Sequence, residues 1–447
     1  MQLDHDTIVA PATASGGALT VIRLSGRDAV AIADRLFRGR RPLAACASHT
    51  AHFGTIEVEG RIIDEVVATL FLAPKSYTGD DTIEFSCHGS SFIATTVLQQ
   101  AINAGARMAE PGEFTRRAYL AGRMDLAQAE AVADLIASTS EAAHRIATHQ
   151  MRGGYSSALD RLREELLSLT ALLELELDFG EEDVEFADRN QLRDTMQRIG
   201  SELKRLSNSF QFGNALKEGI PVAIVGAPNV GKSTLLNQLL QEDRAMVSEI
   251  AGTTRDVIEE QLTIDGIRFR ILDTAGLRTT SDRLEQMGIE RTHQSIERAR
   301  IILWMVDATT LDQAPELPFS LDEEQQLICV ANKIDTATST TLPPLFLPLS
   351  ARSGEGMETL KEAMRKAVPA INEEETIVTS ARHHEALERG LEALNRALKG
   401  LDSGLPTDLL SEDIRAVIAA IGSITARGII LPSEVLAHIF GHFCIGK

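Results

Sequence analysis

One stretch, PVAIVGAPNVGKSTLLNQLL at residues 221–240, limits the folds open to this chain more than any other. An apolar run, Val222 to Val225, is followed by Gly226, four residues, Gly231-Lys232-Ser233, and then apolar residues at helical spacing. Strand, glycine-rich loop and helix in that order are what a phosphate-binding P-loop requires. The glycines let backbone N–H groups curl around phosphate oxygens. Lys232 brings charge to the β and γ phosphates, and the Ser233 hydroxyl, at a helix N-terminus, is a magnesium ligand.

The loop alone does not choose between adenine and guanine. Asn332-Lys333-Ile334-Asp335 makes the choice, because it follows the apolar strand Leu327 to Val330, where the base should lie. The Asp335 carboxylate can accept two hydrogen bonds from guanine N1 and its exocyclic amino group, a pair that adenine does not offer. Ser350-Ala351-Arg352, after the strand Leu345 to Leu349, matches a further base-contacting loop. Asp273-Thr274-Ala275-Gly276 follows the strand Ile267 to Leu272, which an Asp265-Gly266 turn pairs with Ile258 to Ile264. Asp273 can reach magnesium through water, and the Gly276 N–H can meet the γ-phosphate. In Gly252-Thr253-Thr254-Arg255-Asp256, Thr254 is the expected magnesium ligand of the GTP state, and both loops should order with the γ-phosphate. The residue after Gly276 is Leu277, where many GTPases carry a water-orienting glutamine. Another orienting group and another positive charge are therefore required.

At 447 residues the chain exceeds what one core serves, so two or three domains are expected. Residues 1–118 mix short β-type runs with helices. They include Leu19 to Leu24, a hairpin turning at Glu59-Gly60, and TIEFSC, and they read as an α+β domain. From Tyr119 the texture becomes helical, with apolar residues three and four apart at Leu162, Leu166, Leu169 and Leu173. It resumes from Glu385. The expected fold is thus multidomain α+β. An α+β domain spans residues 1–118, a discontinuous helical domain spans 119–214 and 376–447, and an α/β P-loop (Ras-like) G domain is inserted at 215–375.

Acidic residues number 64 against 44 basic ones, a formal charge of −20, which disfavours nonspecific attraction to nucleic acid. An RNA partner must meet a second protein or a local basic patch, for which Arg35, Arg38, Arg40 and Arg41, or Arg116, Arg117 and Arg123, are candidates. The four cysteines, Cys46, Cys87, Cys329 and Cys444, show no metal-ligand spacing and suit a reducing compartment. Cys87 and His88 are adjacent, but neighbours on a strand point to opposite faces, so structural roles are expected there. The N-terminus lacks a signal-peptide pattern, and the longest clean apolar run, Ile301 to Val306, is too short for a bilayer. A soluble cytoplasmic protein is expected.

GTTRD, DTAGLR, a G domain set within helices and the ending FCIGK together resemble the MnmE/TrmE family of tRNA-modification GTPases. In the first domain DTIVAPAT, VIRLSG, SYTGDDTIEFSCHG and EPGEFTRRAYLAGRMDLAQAEAVADLI carry the same resemblance. It implies a potassium-activated GTPase that acts as a homodimer and forms a heterotetramer with an MnmG/GidA-type flavoprotein using FAD and NADH. The pair adds a carboxymethylaminomethyl or aminomethyl group to carbon 5 of the wobble uridine of certain tRNAs. It also implies a folate-binding-like N-terminal domain that dimerises and holds a 5-formyl-tetrahydrofolate-type carrier through Arg23, Glu84, Arg123 and Lys447. Arg123 stands where lysine is common.

By the same resemblance Asn229, Ser248, Ile250 and Thr253 would coordinate potassium in place of an arginine finger. Glu285 would orient the attacking water and act with Lys232 in catalysis. The nucleotide-contacting set is then Asn229, Val230, Gly231, Lys232, Ser233, Thr234, Ser248, Glu249, Ile250, Ala251, Gly252, Thr253, Thr254, Asp273, Thr274, Ala275, Gly276, Asn332, Lys333, Asp335, Ser350, Ala351 and Arg352. Cys444 invites either a thiol role or simple packing. A GTP-dependent ribosome-assembly factor is the alternative reading, since such GTPases share the GTTRD and DTAG loops. It would call for a basic RNA-binding appendage, and the flanks here are acidic and helical.

Overall fold

The computed structural model describes residues 6–14, 16–178, 189–243, 260–272, 285–310, 316–337, 342–370, 372, 375–427 and 432–446. The chain forms two compact units. One comprises Met1–Ile136, Gln150–Ser201 and Ala386–Lys447, and the other Ala137–His149 and Glu202–Glu385.

The first unit contains a seven-stranded sheet of β1 (Ile8–Pro11), β2 (Leu19–Ser25), β3 (Phe37–Gly39), β4 (Thr50–Val58), β5 (Arg61–Phe71), β6 (Thr82–His88) and β7 (Arg107–Met108). Their order is β3-β4-β5-β6-β2-β1-β7, with β1 and β7 parallel and the other pairs antiparallel. The β4–β5 hairpin turns at Glu59 and Gly60, whose φ of 50° and 75° suit the twist of a tight two-residue turn. Alternate residues Ile22, Leu24, Val66, Ala68, Leu70, Ile83 and Phe85 enter one core with the helices Ala29–Leu36 and Ser91–Asn103. Cys87 lies in that core, while His88, the next residue, is exposed and bonds Asp64 at 2.6 Å. Burial, with Asp64 nearby, pushes the Cys87 thiol up to about 12, so the pair is structural.

In the same unit the helices Gly154–Asp178 and Thr407–Thr425 pack together. Leu162, Leu166, Leu169 and Leu173 are all buried along the first of these, the 3-4 spacing turning one apolar face inward. Each such leucine is worth about 1.5–3 kcal/mol of transfer free energy. Exposed pairs such as Arg415–Glu174 at 2.5 Å add little. The terminal helix Ser433–Gly441 sets Leu436 and Phe440, with Phe443 beyond it, against Leu126, Ala129 and Tyr119. That packing returns the chain end to the first domain, where the Gly112 N–H donates to the Cys444 carbonyl at 3.3 Å.

The segment holding Arg116, Arg117 and Arg123 is not the basic patch its sequence suggests. Arg117 is buried, donating to Glu113 at 2.9 Å and to Asp6 at 2.6 Å, and Arg116 pairs with Glu110 at 3.3 Å. Glu110 and Glu113 from the same segment, with Asp6 from far back in the chain, neutralise Arg116 and Arg117, and of the three arginines only Arg123 is exposed.

The second unit is built on β8 (Ile220–Gly226), β9 (Glu260–Ile264), β10 (Ile267–Ile271), β11 (Ile301–Asp307), β12 (Gln326–Asn332) and β13 (Phe346–Leu349). The order is β13-β12-β11-β8-β10-β9, parallel except for β9. Asp265 and Gly266, with φ of 47° and 74°, make the β9–β10 turn. The central strands β8, β11 and β12 are apolar without alternation because both faces are covered, whereas β9 and β10 towards the edge alternate polar and apolar residues. Val222, Ile224, Ile301, Leu303 and Met305 face one core with the helices Lys232–Asp243 and Met357–Lys366. Ala223, Val225, Ile302 and Trp304 face the other, with Ile296 of the helix Glu285–Arg298. Ala142 and Ile146, and Leu216 from Arg189–Glu218, join the first of these cores. Among the described residues no helix is long and apolar enough to cross a membrane.

Candidate nucleotide site and the Arg23 cluster

The carboxyl ends of the parallel strands collect Gly226, Asn332 and the loops that follow them, the usual position of ligands in open α/β sheets. Register places Gly226 beside Met305, Asp307 beside Asn332, and Asn332 beside Leu349. The glycines are sterically required. At Gly226, φ +153°, a Cβ would lie 2.3 Å from the Met305 carbonyl oxygen; at Gly231, φ +99°, it would lie 2.3 Å from Asn332 Nδ2. Between them Asn229 takes φ +61° and is exposed.

Asn332, 3% exposed, joins two loops. Its Nδ2 donates to the Val230 carbonyl at 2.7 Å and its Oδ1 accepts from the Ala351 N–H at 2.9 Å. Phosphate loop and base loop are thereby held by one side chain. Ser350 Oγ donates to Asp335 Oδ1 at 2.8 Å, fixing the carboxylate that would read the base. Lys232 Nζ donates to the carbonyls of Gly226 at 2.8 Å and Ala227 at 3.0 Å. Its ammonium thus sits over the loop's own oxygens, the partners a phosphate would replace, and burial lowers its pKa. Ser233, Thr234 and Arg352 are exposed.

Lys333 takes φ +70°, and its Nζ meets Asp307 Oδ2 at 2.7 Å. The other Asp307 oxygen accepts from the Thr309 N–H and hydroxyl at 3.0 and 2.7 Å. Burial raises the Asp307 carboxyl, but Lys333 and Thr309 outweigh it and the net shift is downward. Sequence reasoning missed Asp307. Its only signal is an acid closing the apolar run Ile301 to Val306.

Ser248, Glu249, Ile250, Ala251, Gly252, Thr253, Thr254, Asp273, Thr274, Ala275, Gly276 and Leu277 lie outside the described residues. Glu285 begins a helix; its side chain is also outside them. Among the described residues no group of three or more His, Cys, Asp or Glu could hold a metal ion.

In the other unit Arg23 and Glu84 come together, Nε to Oε1 at 2.7 Å, opposite each other across β2 and β6. Arg23 Nη1 also donates to the Gly446 carbonyl at 3.2 Å, next to Lys447, which is outside the described residues. The guanidinium lies 5.6 and 5.5 Å from the Tyr77 and Phe114 ring centres, two residues the sequence reading did not single out. Arg123 is exposed and near Gly79, with no bond to Arg23 or Glu84. Cys444 is exposed.

A strand, P-loop and helix on a mostly parallel sheet, with a guanine-specific Asn-Lys-x-Asp sequence at its carboxyl edge, define a P-loop GTPase. The family model described as "GTP-binding protein TrmE N-terminus" matches residues 7–123, and that of the "MnmE helical domain" matches residues 126–444. The chain is 48% identical over 469 residues to tRNA modification GTPase MnmE of Bacteroides fragilis, covering all of both chains. It is 49% identical over 470 residues to the protein of that name from Porphyromonas gingivalis, covering 99% of this chain and 98% of that one. The solved structure of Aquifex aeolicus Era bound to GDP.AlF4- matches 38% of this chain and 65% of that chain at 29% identity, with a TM-score of 0.24. The chain belongs to the MnmE (TrmE) family of tRNA modification GTPases.

Proposed function

We propose that this protein is a potassium-activated GTPase that hydrolyses GTP to GDP and phosphate. With an FAD-dependent MnmG/GidA-type partner it adds a carboxymethylaminomethyl or aminomethyl group to carbon 5 of the wobble uridine of certain tRNAs. The observation that carries the nucleotide half is the Asn332 bridge, which ties Val230 of the phosphate loop to Ala351 of the base loop. A single buried amide so placed makes phosphate and guanine recognition one preorganised site. The tRNA half rests on full-length relatives named as tRNA modification GTPases.

In this reading Asp335 and Ser350 read the guanine edge, and Lys333 is held beside it by Asp307. Lys232 exchanges its two carbonyl partners for phosphate oxygens, for which the glycine cradle leaves room. Ser233 and Thr254 would hold magnesium, which neutralises phosphate charge. Asn229, Ser248, Ile250 and Thr253 would hold potassium, whose charge serves where no arginine finger is available. Glu285 orients the attacking water, since Leu277 cannot.

The functional division follows the sequence texture. Residues 1–118 dimerise and bind a 5-formyl-tetrahydrofolate-type carrier through Arg23 and Glu84, with Arg123 and Lys447 reaching the carrier from the flanking segments; 215–375 bind GTP; 119–214 and 376–447 form the helical domain. Arg23, already paired with Glu84 and flanked by two rings, suits a planar polar ligand edge. GTP turnover at equal ionic strength in potassium and in sodium chloride tests the activation. A faster rate in potassium is expected, and equal rates would remove the potassium assignment.

A further inference from the structure

The chain from Arg35 to Ile56 contains four arginines, two histidines and no acid, a formal +4 in a protein of −20. Arg35, Arg38, Arg40 and Arg41 are all exposed. They cluster at β3, which is an edge strand of the seven-stranded sheet, and in the residues beside it.

Among the described residues none of these four guanidiniums has a carboxylate partner. Arg35 Nη1 donates to the Ala104 carbonyl at 3.2 Å, and Arg38 Nη1 to the carbonyls of Asp34 at 2.8 Å and Phe37 at 3.1 Å. Backbone carbonyls orient a guanidinium and leave its charge intact. The nearest acid in sequence, Asp34, accepts the backbone N–H groups of Leu43 at 2.5 Å and Ala44 at 3.0 Å, so it is committed to its own turn. Elsewhere arginines such as Arg107, Arg189, Arg193, Arg198, Arg396 and Arg427 are neutralised by carboxylates.

We infer that the Arg35, Arg38, Arg40 and Arg41 edge is an RNA-backbone docking surface, contacting phosphates of the tRNA substrate. The inference rests on the tRNA reading above and adds where the RNA is held. Unpaired guanidiniums on an otherwise acidic surface confine a polyanion to one place, and arginine forks suit phosphate oxygens. The competing account is that the arginines only protect an open sheet edge from strand pairing.

The test is binding of a fluorescently labelled, unmodified tRNA transcript with a wobble uridine to the full-length protein across a salt series. Wild type is compared with an Arg40→Gln/Arg41→Gln double variant and an Arg35→Gln variant. Each lost phosphate contact should lower the slope of log affinity against log salt by about 0.7–0.9. For the double variant the ratio of wild-type to variant affinity should therefore shrink about ten-fold between 50 and 200 mM salt. GTP turnover without RNA should stay at the wild-type rate, showing an intact fold.

Identical affinities and slopes for wild type and both variants would overturn the docking surface and leave the tRNA reading standing. Unchanged RNA binding with lost binding of an acidic protein partner would do the same. Wild-type protein that binds no tRNA, alone or with its flavoprotein, would overturn both.

Discussion

Replacing Asn332 by alanine removes a side chain that joins the phosphate loop to the base loop. The Val230 carbonyl loses a donor at 2.7 Å and the Ala351 N–H loses an acceptor at 2.9 Å, at residues only 5% and 2% exposed. A buried polar group left without a partner costs about 1–3 kcal/mol. Water can reach the open side of the P-loop, so the combined cost should fall at about 2–4 kcal/mol. At about 1.4 kcal/mol per decade, that predicts GDP and GTP binding weakened roughly 30-fold to 1,000-fold. The assay is titration with a fluorescent GDP analogue, alongside thermal unfolding to separate lost binding from lost fold. Asn332→Asp sharpens it, because it keeps an acceptor for Ala351 but sets a carboxylate oxygen against the Val230 carbonyl. It should bind no better than Asn332→Ala. Nucleotide affinity within three-fold of wild type in Asn332→Ala, at unchanged Tm, would refute the claim that this bridge preorganises the site.

Gly231→Ala places a Cβ 2.3 Å from Asn332 Nδ2 in a backbone with φ +99°, and should abolish measurable GTP turnover while far-UV circular dichroism stays native. In the first unit burial raises the Glu113 carboxyl, but bonds from Arg107, the Glu110 N–H and Arg117 overcome it and hold the carboxyl down at about 2. A depressed native pKa gives stability that is complete above the unfolded value, near 4.5, and is lost as pH falls towards 2. Glu113→Gln should therefore lower Tm at neutral pH and flatten its dependence across that window; an unchanged acid-side slope would contradict the assignment. Thiol labelling of native protein at pH 8 should modify exposed Cys444 first and leave Cys87 unreacted until unfolding, since burial pushes Cys87 up to about 12.

The parts of the fold that local chemistry dictates were legible in the sequence. The P-loop, the Glu59-Gly60 and Asp265-Gly266 turns and the doubly buried strands each depend on residues close in the chain. So does the leucine face of Leu162 to Leu173. What could not be read depended on partners far apart. Helical periodicity announces that Ala142 and Ile146 are on a buried face, but not that the core they join holds Val222 and Leu303. Arg117 looks like an exposed helix charge paired with its neighbour Glu113 until Asp6, from far back in the chain, is found beside it. Asp307 closes an apolar run like many acids, and only the register with Asn332 brings Lys333 to it. Tyr77 and Phe114 flank Arg23 for the same reason: each arrives from a different segment.

The account's central claim is that GTP turnover at this site serves modification of the wobble uridine. Mass analysis of wobble nucleosides from tRNA of a strain lacking this gene tests it most directly, with wild type and Lys232→Ala supplied back. The 5-substituted uridine should disappear on deletion, return with wild type and stay absent with Lys232→Ala. Normal levels of that nucleoside in the deletion strain would contradict the account.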